Sequence, residues 1–335
     1  MATIRDVAQR AGVSTATVSR ALNAHPGIAE ATREQVLAAV LELGYRPNGV
    51  ARSLRAVRTR TIGLVLSNVA NPFFAEVARA AEHAAAERGL SVILGNADED
   101  TEREARYLDV MLDKRVDGLL LSPTGGNSRA VEEVLRRNVP LVFVDRTIPE
   151  YNVPSVSTEP YSGIGALVEH LAEQGHRSAA ILSGSQETVP GRQRVEAFLH
   201  ACAQHGISIA PEHVLNGGFK PEQGSRATTD LLALDRALPS VLFVSNNLMT
   251  LGVLQTLRAR GLRVPDDIAI ASYDDSPWFE LLDPTITAIQ QPVRELGQVA
   301  VDLIAAVIAG ERPKPVLLHS HLVIRESSTN AGGRR

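Results

Sequence analysis

The chain has 335 residues, of which 44% are hydrophobic and 21% charged, so it holds enough apolar material for two or three domains. No apolar run is long enough to cross a membrane, and the N-terminus lacks the apolar stretch of a signal peptide, so we expect a cytoplasmic protein. The single cysteine, Cys202, excludes an intramolecular disulfide, and its helical surroundings favour a small core side chain over a nucleophile.

The net charge of −4 is unevenly distributed. Residues 1–60 hold nine arginines and four carboxylates, a net charge of +5, which leaves −9 for the remainder. A basic end on an acidic body is expected when only that end meets the phosphates of a nucleic acid.

The first predicted elements are two short helices within residues 3–23. Apolar residues recur at helical spacing up to Gly12, which permits the positive φ of a tight turn, and Ser14 is placed to cap the second helix. That helix turns Val18 and Leu22 inward and keeps a polar outer face. The spacing, in a basic segment, predicts a helix-turn-helix that binds DNA, although other small helical hairpins share part of the pattern.

A third helix is predicted from about Thr32 to Leu43, with Thr32 and Gln35 in the pattern of a capping box and Gly44 at its end. Residues 48–56 form a further helical pattern that is too short to be stable alone in water. This segment should be ordered only against a second copy of itself or on DNA. A basic, flexible linker is equally consistent with these residues.

From Thr61 onward, short apolar strands alternate with amphipathic helices, a pattern that predicts parallel sheets covered on both faces. One sheet extends to about residue 158 and the other from about 159 to 287, and the segment 316–324 returns across both. We therefore expect a cleft between the two sheets, lined by loops at the carboxyl ends of the strands. The predicted strands are Ile62–Leu66, Ser91–Leu94, Gly118–Leu121, Leu141–Val144, Ala179–Leu182, Val241–Val244 and Ile268–Ala271, and the helices are Ala75–Arg88, Glu102–Lys114, Arg129–Arg136, Tyr161–Glu173, Arg192–His205, Gln223–Ala233, Leu248–Arg260 and Val293–Ile308.

Polar and aromatic side chains follow these strands and form the candidate binding site. Carboxylates, guanidinium groups and amides beside aromatic rings suit a monosaccharide, whose hydroxyls donate and accept while its C–H faces stack on rings. Each residue also has a structural alternative; Asn247 and Asp275, for example, are placed to cap the following helices. The set comprises Asn71, Phe73, Phe74, Asp145, Arg146, Arg192, Arg194, Phe219, Asn246, Asn247, Asp274, Asp275 and Gln290.

No catalytic, metal or cofactor site is predicted. Asp145, Asp274 and Asp275 could form a glycosidase pair, but nothing in the sequence fixes their separation. The nine histidines lack metal-ligand spacing, and no GxGxxG, GxxxxGK[ST] or GxSxG motif is present.

Four stretches carry a resemblance to a known family: TIRDVAQRAGVSTATVSRALN, TREQVLAAVLELGYRPNGVARSLR, IGLVLSNVANPFFAE and DDIAIASYDD. They resemble the bacterial lactose-repressor/galactose-repressor (LacI/GalR) transcriptional regulators. The resemblance implies an all-α helix-turn-helix headpiece plus hinge helix, followed by an α/β periplasmic-binding-protein-like core of two Rossmann-like parallel-sheet subdomains. The implied boundaries are 1–47 for the headpiece, 48–60 for the hinge helix and linker, about 61–158 with 288–320 and about 159–287 with 321–330 for the two subdomains, and 331–335 for a disordered tail.

The resemblance also implies contacts with a near-palindromic operator DNA by a homodimer, since the tail lacks the leucine heptads of tetrameric members. Thr15 and Ala16 match positions that read base edges, Arg20 matches a base or phosphate contact, and Leu54 matches a leucine wedged into the minor groove. The implied DNA-binding residues are Thr3, Ser14, Thr15, Ala16, Thr17, Ser19, Arg20, Asn23, Asn48, Ala51, Leu54 and Arg55.

The same resemblance sharpens the candidate cleft, because ten residues match pocket positions of ribose-type binding proteins and sugar-responsive regulators. We therefore expect a repressor that needs no cofactor, has no enzymatic activity and leaves the operator, and so the nucleoid, when it binds a pentose-like sugar. The alternatives are a corepressor-type regulator that responds to a purine or another metabolite, a transporter's solute-binding protein, which has no use for residues 1–60, and an enzyme with a DNA-binding head. The ten residues are Asn71, Phe73, Phe74, Asp145, Arg146, Arg194, Phe219, Asn246, Asp274 and Gln290.

Overall fold

The computed structural model describes residues 2–22, 25–45, 59–125, 129–234 and 237–329. The chain divides into two compact units, Met1–Thr59 and Arg60–Arg335. Each unit has its own hydrophobic core, and we call the first the headpiece and the second the body.

Three helices form the described part of the headpiece: α1 (Ile4–Arg10), α2 (Thr15–Leu22) and α3 (Glu30–Glu42). One valine from each helix, Val7, Val18 and Val36, is completely buried where the three helices meet. Gly12 has φ +62°, so the turn between α1 and α2 uses the left-handed conformation that the sequence predicted.

The start of α3 differs from the prediction. The helix begins at Glu30 and not at Thr32, and its N-cap residue is Ala29, which has no side chain to bond the free amides of the first turn. The proposed capping box of Thr32 and Gln35 is therefore wrong, because both residues lie inside the helix.

The described part of the body contains two six-stranded sheets with the same arrangement. The strands are β1 (Thr61–Leu66), β2 (Ser91–Asn96), β3 (Gly118–Leu121), β4 (Leu141–Val144), β5 (Ser155–Glu159), β6 (Ala179–Ser183), β7 (Val214–Asn216), β8 (Val241–Val244), β9 (Ala269–Tyr273), β10 (Thr287–Gln290), β11 (Val316–His319) and β12 (His321–Val323). The first sheet has the order β11-β5-β4-β3-β1-β2 and is entirely parallel; the second has the order β12-β10-β9-β8-β6-β7 and is parallel except for β12. Each strand of one sheet thus has a positional counterpart in the other.

Helices cover both faces of each sheet, as the continuous apolar strands predicted. The helices are α4 (Pro72–Glu87), α5 (Thr101–Asp113), α6 (Arg129–Arg136), α7 (Tyr161–Glu173), α8 (Val189–Gln204), α9 (Pro221–Leu232), α10 (Asn247–Ala259) and α11 (Val293–Ile308). On the first sheet, α4 and α11 pack on one face and α5 and α6 on the other; on the second, α7 and α8 pack on one face and α9 and α10 on the other. Cys202 is buried in α8 within one of these cores, and burial raises the pKa of its thiol to about 12.

The chain crosses between the sheets three times: after β5, after β10 and between β11 and β12. The predicted return of segment 316–324 across both halves is confirmed, since β11 joins the first sheet and β12 the second. The boundary expected at residue 288 is wrong by three residues. Ala288–Gln290 pair with β12, and β10 also pairs with β9, so this strand belongs to the second sheet and the chain crosses only after Gln290.

Among the described residues, no helix is long and apolar enough to span a membrane.

Candidate functional site

The outer face of α2 is the candidate DNA-reading surface. Ser14 caps this helix, because its Oγ accepts the backbone N–H of Thr17 at 3.1 Å. Thr15, Ala16 and Arg20 are exposed on the outer face, whereas Thr17 is half-buried. The prediction of an inward Val18 and an outward polar face is thus confirmed in geometry.

The remaining predicted DNA-binding residues fall into two groups. Thr3 caps α1: its Oγ1 accepts the amide of Asp6 at 3.4 Å, while the Thr3 amide donates to Asp6 Oδ2 at 2.7 Å. Ser19 is half-buried on α2. Five others, Asn23, Asn48, Ala51, Leu54 and Arg55, lie outside the described residues, as does the whole of the predicted hinge helix.

The second candidate site is a cleft between the two subdomains of the body, which we call the inner cleft. Nine of the ten predicted residues line it. They come from loops and helix starts that follow strands of both sheets, as expected where the carboxyl ends of parallel strands face a shared opening. The nine are Asn71, Phe73, Phe74, Asp145, Arg146, Arg194, Phe219, Asn246 and Asp274.

Gln290 is the exception. It is exposed and lies in a neighbouring depression, whereas the next residue, Gln291, is buried and donates from Nε2 to Asp274 Oδ1 at 2.5 Å. The neighbouring glutamine therefore supplies the contact with the cleft carboxylate. Gln291 Oε1 is a buried acceptor that has no hydrogen-bond partner among the described residues.

Two aspartates occupy matching positions in the two subdomains. Asp145 follows β4 and Asp274 follows β9, and both have left-handed backbones, with φ +65° and +67°. Such a conformation is unusual for a residue other than glycine, although aspartate tolerates it better than most. The strained turn aims each carboxylate at the cleft, and both are nearly fully buried.

Arg146 connects the two sides of the cleft. Its Nη1 and Nη2 donate to the two carboxylate oxygens of Glu99, both at 2.7 Å, and its guanidinium carbon lies 4.5 Å from the ring centre of Phe219. Glu99 belongs to the first subdomain and Phe219 to the second. The arginine is therefore fixed by a bidentate ion pair on its own side and by a cation–π contact on the other.

Arg194 is the second buried cation. It extends from α8, donates to the backbone oxygen of Ser245 at 2.7 Å and stacks over the ring of Tyr273 at 3.8 Å. Its Nη1 lies 3.9 Å from Asp274 Oδ2. That separation gives Coulombic attraction without a close hydrogen bond, so both groups keep bonding capacity for a ligand hydroxyl.

Burial dominates the electrostatics of the two aspartates. It raises the pKa of Asp145 to about 6, although Arg194 and Arg146 oppose the shift. Burial also raises the pKa of Asp274, against the attraction of Arg194 and the hydrogen bond from Gln291. The cleft thus holds two carboxylates that are costly to keep ionised until something replaces their lost water.

Two of the predicted asparagine side chains line the cleft and also make hydrogen bonds that stabilise the fold. Asn71 Oδ1 accepts the Phe73 amide at 2.9 Å and caps α4. Asn246 Oδ1 accepts the Met249 amide at 2.8 Å and caps α10, and its Nδ2 donates to the Phe219 backbone oxygen at 3.2 Å. Asn246 therefore holds the aromatic wall of the cleft in place.

Three other residues that follow strands and were candidates for binding have structural partners instead. Asn247 does not cap α10 but lies in its first turn and donates from Nδ2 to Ser276 Oγ at 3.0 Å. Asp275 accepts from Arg325 at 2.9 and 3.0 Å and caps no helix. Arg192 is exposed and donates to the backbone oxygen of Gln186 at 2.8 Å.

The inner cleft is narrow. Its volume of about 20 Å³ is room for one or two water molecules. A partly buried ion pair between Lys220 of the second subdomain and Asp98 of the first, at 3.4 Å, crosses its rim. A ligand larger than a few water molecules can therefore enter only if the two subdomains separate.

Asn68, Glu99 and Pro190 also line the inner cleft, although the sequence does not single them out. The strand β2 extends to Asn96, two residues beyond the predicted end at Leu94, so Glu99 lies in the loop that follows this strand. Its place just after a strand is the sequence signal that identifies Glu99.

The two parts of the chain match known protein families. Residues 3–48 match the model of the bacterial regulatory proteins of the lacI family, and residues 168–328 match a periplasmic binding protein-like domain. The HTH-type transcriptional repressor PurR of Erwinia tasmaniensis is 35% identical and covers 99% of this chain and 98% of its own. The ribose operon repressor of Halalkalibacterium halodurans is 34% identical, with coverage of 99% and 98%.

One solved structure matches nearly the full length of this chain. A lac repressor dimer bound to operator and the anti-inducer ONPF superposes with a TM-score of 0.86 at 29% identity, covering 98% of this chain and 99% of that one.

Proposed function

Because this chain belongs to the LacI family of bacterial transcriptional repressors, whose members bind operator DNA and a small effector, we propose that a monosaccharide in the inner cleft releases it from its operator. The observation that carries the proposal is the pairing of buried Asp145 and Asp274 with buried Arg146 and Arg194 beside the ring of Phe219.

The chemistry of the cleft favours a hydroxyl-rich ligand. Ionised carboxylates accept hydrogen bonds and guanidinium groups donate them, so a ring of hydroxyls satisfies both. The unpartnered Oε1 of Gln291 adds an acceptor near Asp274. Phe73 and Phe74, edge to face at 4.9 Å, and Phe219 offer apolar faces for the C–H side of a sugar.

A pentose is the proposed effector. The relative named a ribose operon repressor supports this class. A ligand that lacks one of the hydroxyls would leave a buried polar group unpaired, at a cost of about 1–3 kcal/mol. The cleft should therefore distinguish closely related sugars.

DNA binding is proposed to use the outer face of α2 in the major groove, with Thr15 and Ala16 against base edges and Arg20 on a base or phosphate. A homodimer would place two such helices on a near-palindromic operator. Occupation of the cleft would change the angle between the subdomains and hence the geometry of the paired headpieces. Coupling of this kind is typically about 1–3 kcal/mol, which corresponds to roughly 5–150-fold in DNA affinity.

The proposal includes no catalytic step and no cofactor. Asp145 and Asp274 serve as hydrogen-bond acceptors for a ligand, and the protein acts in the cytoplasm, where the sugar concentration sets occupancy.

A thermal-shift panel tests the effector assignment. D-ribose, other pentoses, hexoses, polyols and purine bases are added separately to the full chain, and a pentose is expected to raise the Tm by mass action. Arg194→Ala should remove the shift, whereas Arg226→Ala, an exposed arginine on α9, should retain it. A shift with a purine base and none with any sugar would favour the corepressor alternative and overturn the sugar assignment.

A further inference from the structure

A larger cavity borders the inner cleft on the side of the loop that follows β4, and we call it the outer chamber. Its volume is about 420 Å³, against about 20 Å³ for the inner cleft. Ligand pockets for small molecules commonly fall between about 300 and 1,000 Å³, so the outer chamber is in that range by itself. The proposed function of the inner cleft leaves this space unexplained.

Arg146 lines both cavities, so this residue lies at the boundary between them. Besides the Glu99 pair, its Nη1 lies 3.5 Å from the backbone oxygen of Pro123, which lines the outer chamber. At the start of α8, the N-cap residue Thr188 borders the outer chamber and Pro190 borders the inner cleft. The two cavities are therefore adjacent along both subdomains.

Both subdomains also build the outer chamber. Glu132, Ile148 and Tyr151 belong to the first subdomain, and Glu187 and Arg192 to the second. Gly125 closes one side: a Cβ built there would lie 3.4 Å from Thr188 Cγ2 and 3.5 Å from Glu187 Cβ across the interface. A movement that opens the inner cleft thus opens the outer chamber as well.

The charges of the outer chamber select the kind of ligand. Among the described lining residues, three carboxylates, Glu132, Glu150 and Glu187, stand against one additional cation, Arg192, because Glu99 already matches the charge of Arg146. The excess of carboxylates repels phosphate and uronate groups and accepts hydrogen bonds from hydroxyls.

Tyr151 supplies the apolar surface that a sugar ring needs. Its hydroxyl donates to Glu132 Oε1 at 3.1 Å, which holds the phenol at the chamber wall beside Ile148. An aromatic face next to hydrogen-bond acceptors is suited to stacking on the C–H side of a saccharide.

We propose that the effector is a neutral glycoside whose first ring, the proposed pentose, occupies the inner cleft and whose second sugar ring occupies the outer chamber. When the subdomains separate, Arg146 keeps its ion pair with Glu99 and loses its contact with Phe219, which joins the two cavities. This inference rests on the proposed function, because it assumes that the inner cleft binds a sugar. It adds that a disaccharide binds more tightly than the monosaccharide it contains, and that a phosphate ester of the same sugar binds more weakly.

Calorimetric titration of the full chain tests the inference with three probe sets: neutral pentoses and hexoses, their disaccharides such as xylobiose, cellobiose, lactose and maltose, and ribose 5-phosphate with glucose 6-phosphate. For a sugar that binds, we expect at least tenfold tighter binding of a matching disaccharide. Tyr151→Ala should abolish that excess while monosaccharide affinity stays within twofold, and Tyr151→Phe should retain most of it because the ring remains.

A charge test uses two glutamates of the outer chamber, Glu132 on α6 and Glu187 just before α8. The double variant Glu132→Gln and Glu187→Gln should raise affinity for the phosphate ester at least fivefold. Glu133→Gln, which loses only exposed ion pairs with Arg136 and Arg137 outside the chamber, should leave it unchanged.

The outcomes separate the two proposals. Equal or weaker binding of every disaccharide, or the same loss with mono- and disaccharides in Tyr151→Ala, overturns the outer-chamber inference while the sugar function stands. A preference of the wild type for the phosphate ester overturns it as well. Absence of binding by any sugar in the panel overturns the proposed function, and the outer-chamber inference with it.

Discussion

Replacement of Asp145 by asparagine should stabilise the protein in the absence of effector. The carboxylate is buried and its pKa is raised from 3.8 to about 6, chiefly by burial. A shift of about 2 pH units at roughly 1.4 kcal/mol each means that the ionised form costs up to about 3 kcal/mol at pH 8. Asparagine removes the charge, retains the shape and tolerates the left-handed backbone at φ +65°.

The direction of this pKa shift determines how the stability of the protein depends on pH. The folded pKa lies above the unfolded one, so the protonated carboxyl favours the folded wild type at low pH and this advantage is lost as the pH rises through about 6. The gain of Asp145→Asn in free energy of unfolding should therefore be near zero at pH 4 and largest above about pH 7. Urea denaturation at several pH values measures it, with the exposed Asp109→Asn as a control.

A loss of stability in Asp145→Asn at pH 8 would refute this reasoning. That result would mean that the attraction of Arg194 and Arg146 for the carboxylate outweighs the cost of its burial. The same variant should also lose effector binding, because an amide cannot replace an acceptor-only carboxylate between two arginines.

Three further results are expected. Ala29→Ser should supply the missing N-cap of α3 and stabilise the headpiece by about 0.5–2 kcal/mol, seen as slower amide hydrogen exchange in α3; unchanged exchange would contradict the capping argument. Gly184→Ala should weaken effector binding, because its Cβ would lie 2.2 Å from the Phe219 ring and displace it, whereas Gly165→Ala, with open space at its Cβ, should bind normally. Burial lowers the pKa of His176 below 6.5, so its folded form prefers the neutral ring; stability should fall as the pH drops below about 6.5, and His176→Gln should show a shallower fall in urea denaturation.

The sequence was sufficient to predict the architecture where apolar patterning is strong. Seven strands were predicted from apolar runs, and the structure contains each of them. β5 and β7 were not predicted, because SVSTE is mostly polar and VLN is only three residues long. Such segments become strands because they pair with strands that are distant along the chain, so no local sequence pattern predicts them.

Helix starts were less predictable for a related reason. Three helices were predicted to begin at Ala75, Arg192 and Gln223, but each starts two or three residues earlier with a proline in its first turn. Proline there has no free amide to leave unsatisfied, so it begins a helix and does not break one.

The candidate cleft could be predicted largely because strand-end loops of parallel sheets converge on one opening. The remaining contact depends on strand register, which the sequence does not determine. Gln290 and Gln291 are indistinguishable in sequence, and only the pairing of Gln290 with His321 in the antiparallel ladder shows which of them turns toward Asp274. The cavity beside Tyr151 depends on the approach of two subdomains, which no motif encodes.

We propose that occupation of the inner cleft controls the affinity for DNA. Operator binding, measured with and without sugar, tests this most directly. A duplex selected from a random library by the full chain is titrated by fluorescence anisotropy, alone and with a saturating amount of a sugar that raises the Tm. We expect the sugar to weaken binding by roughly 5–150-fold, and Arg194→Ala to bind the duplex normally without responding to the sugar. Identical DNA affinity with and without bound sugar would contradict the account.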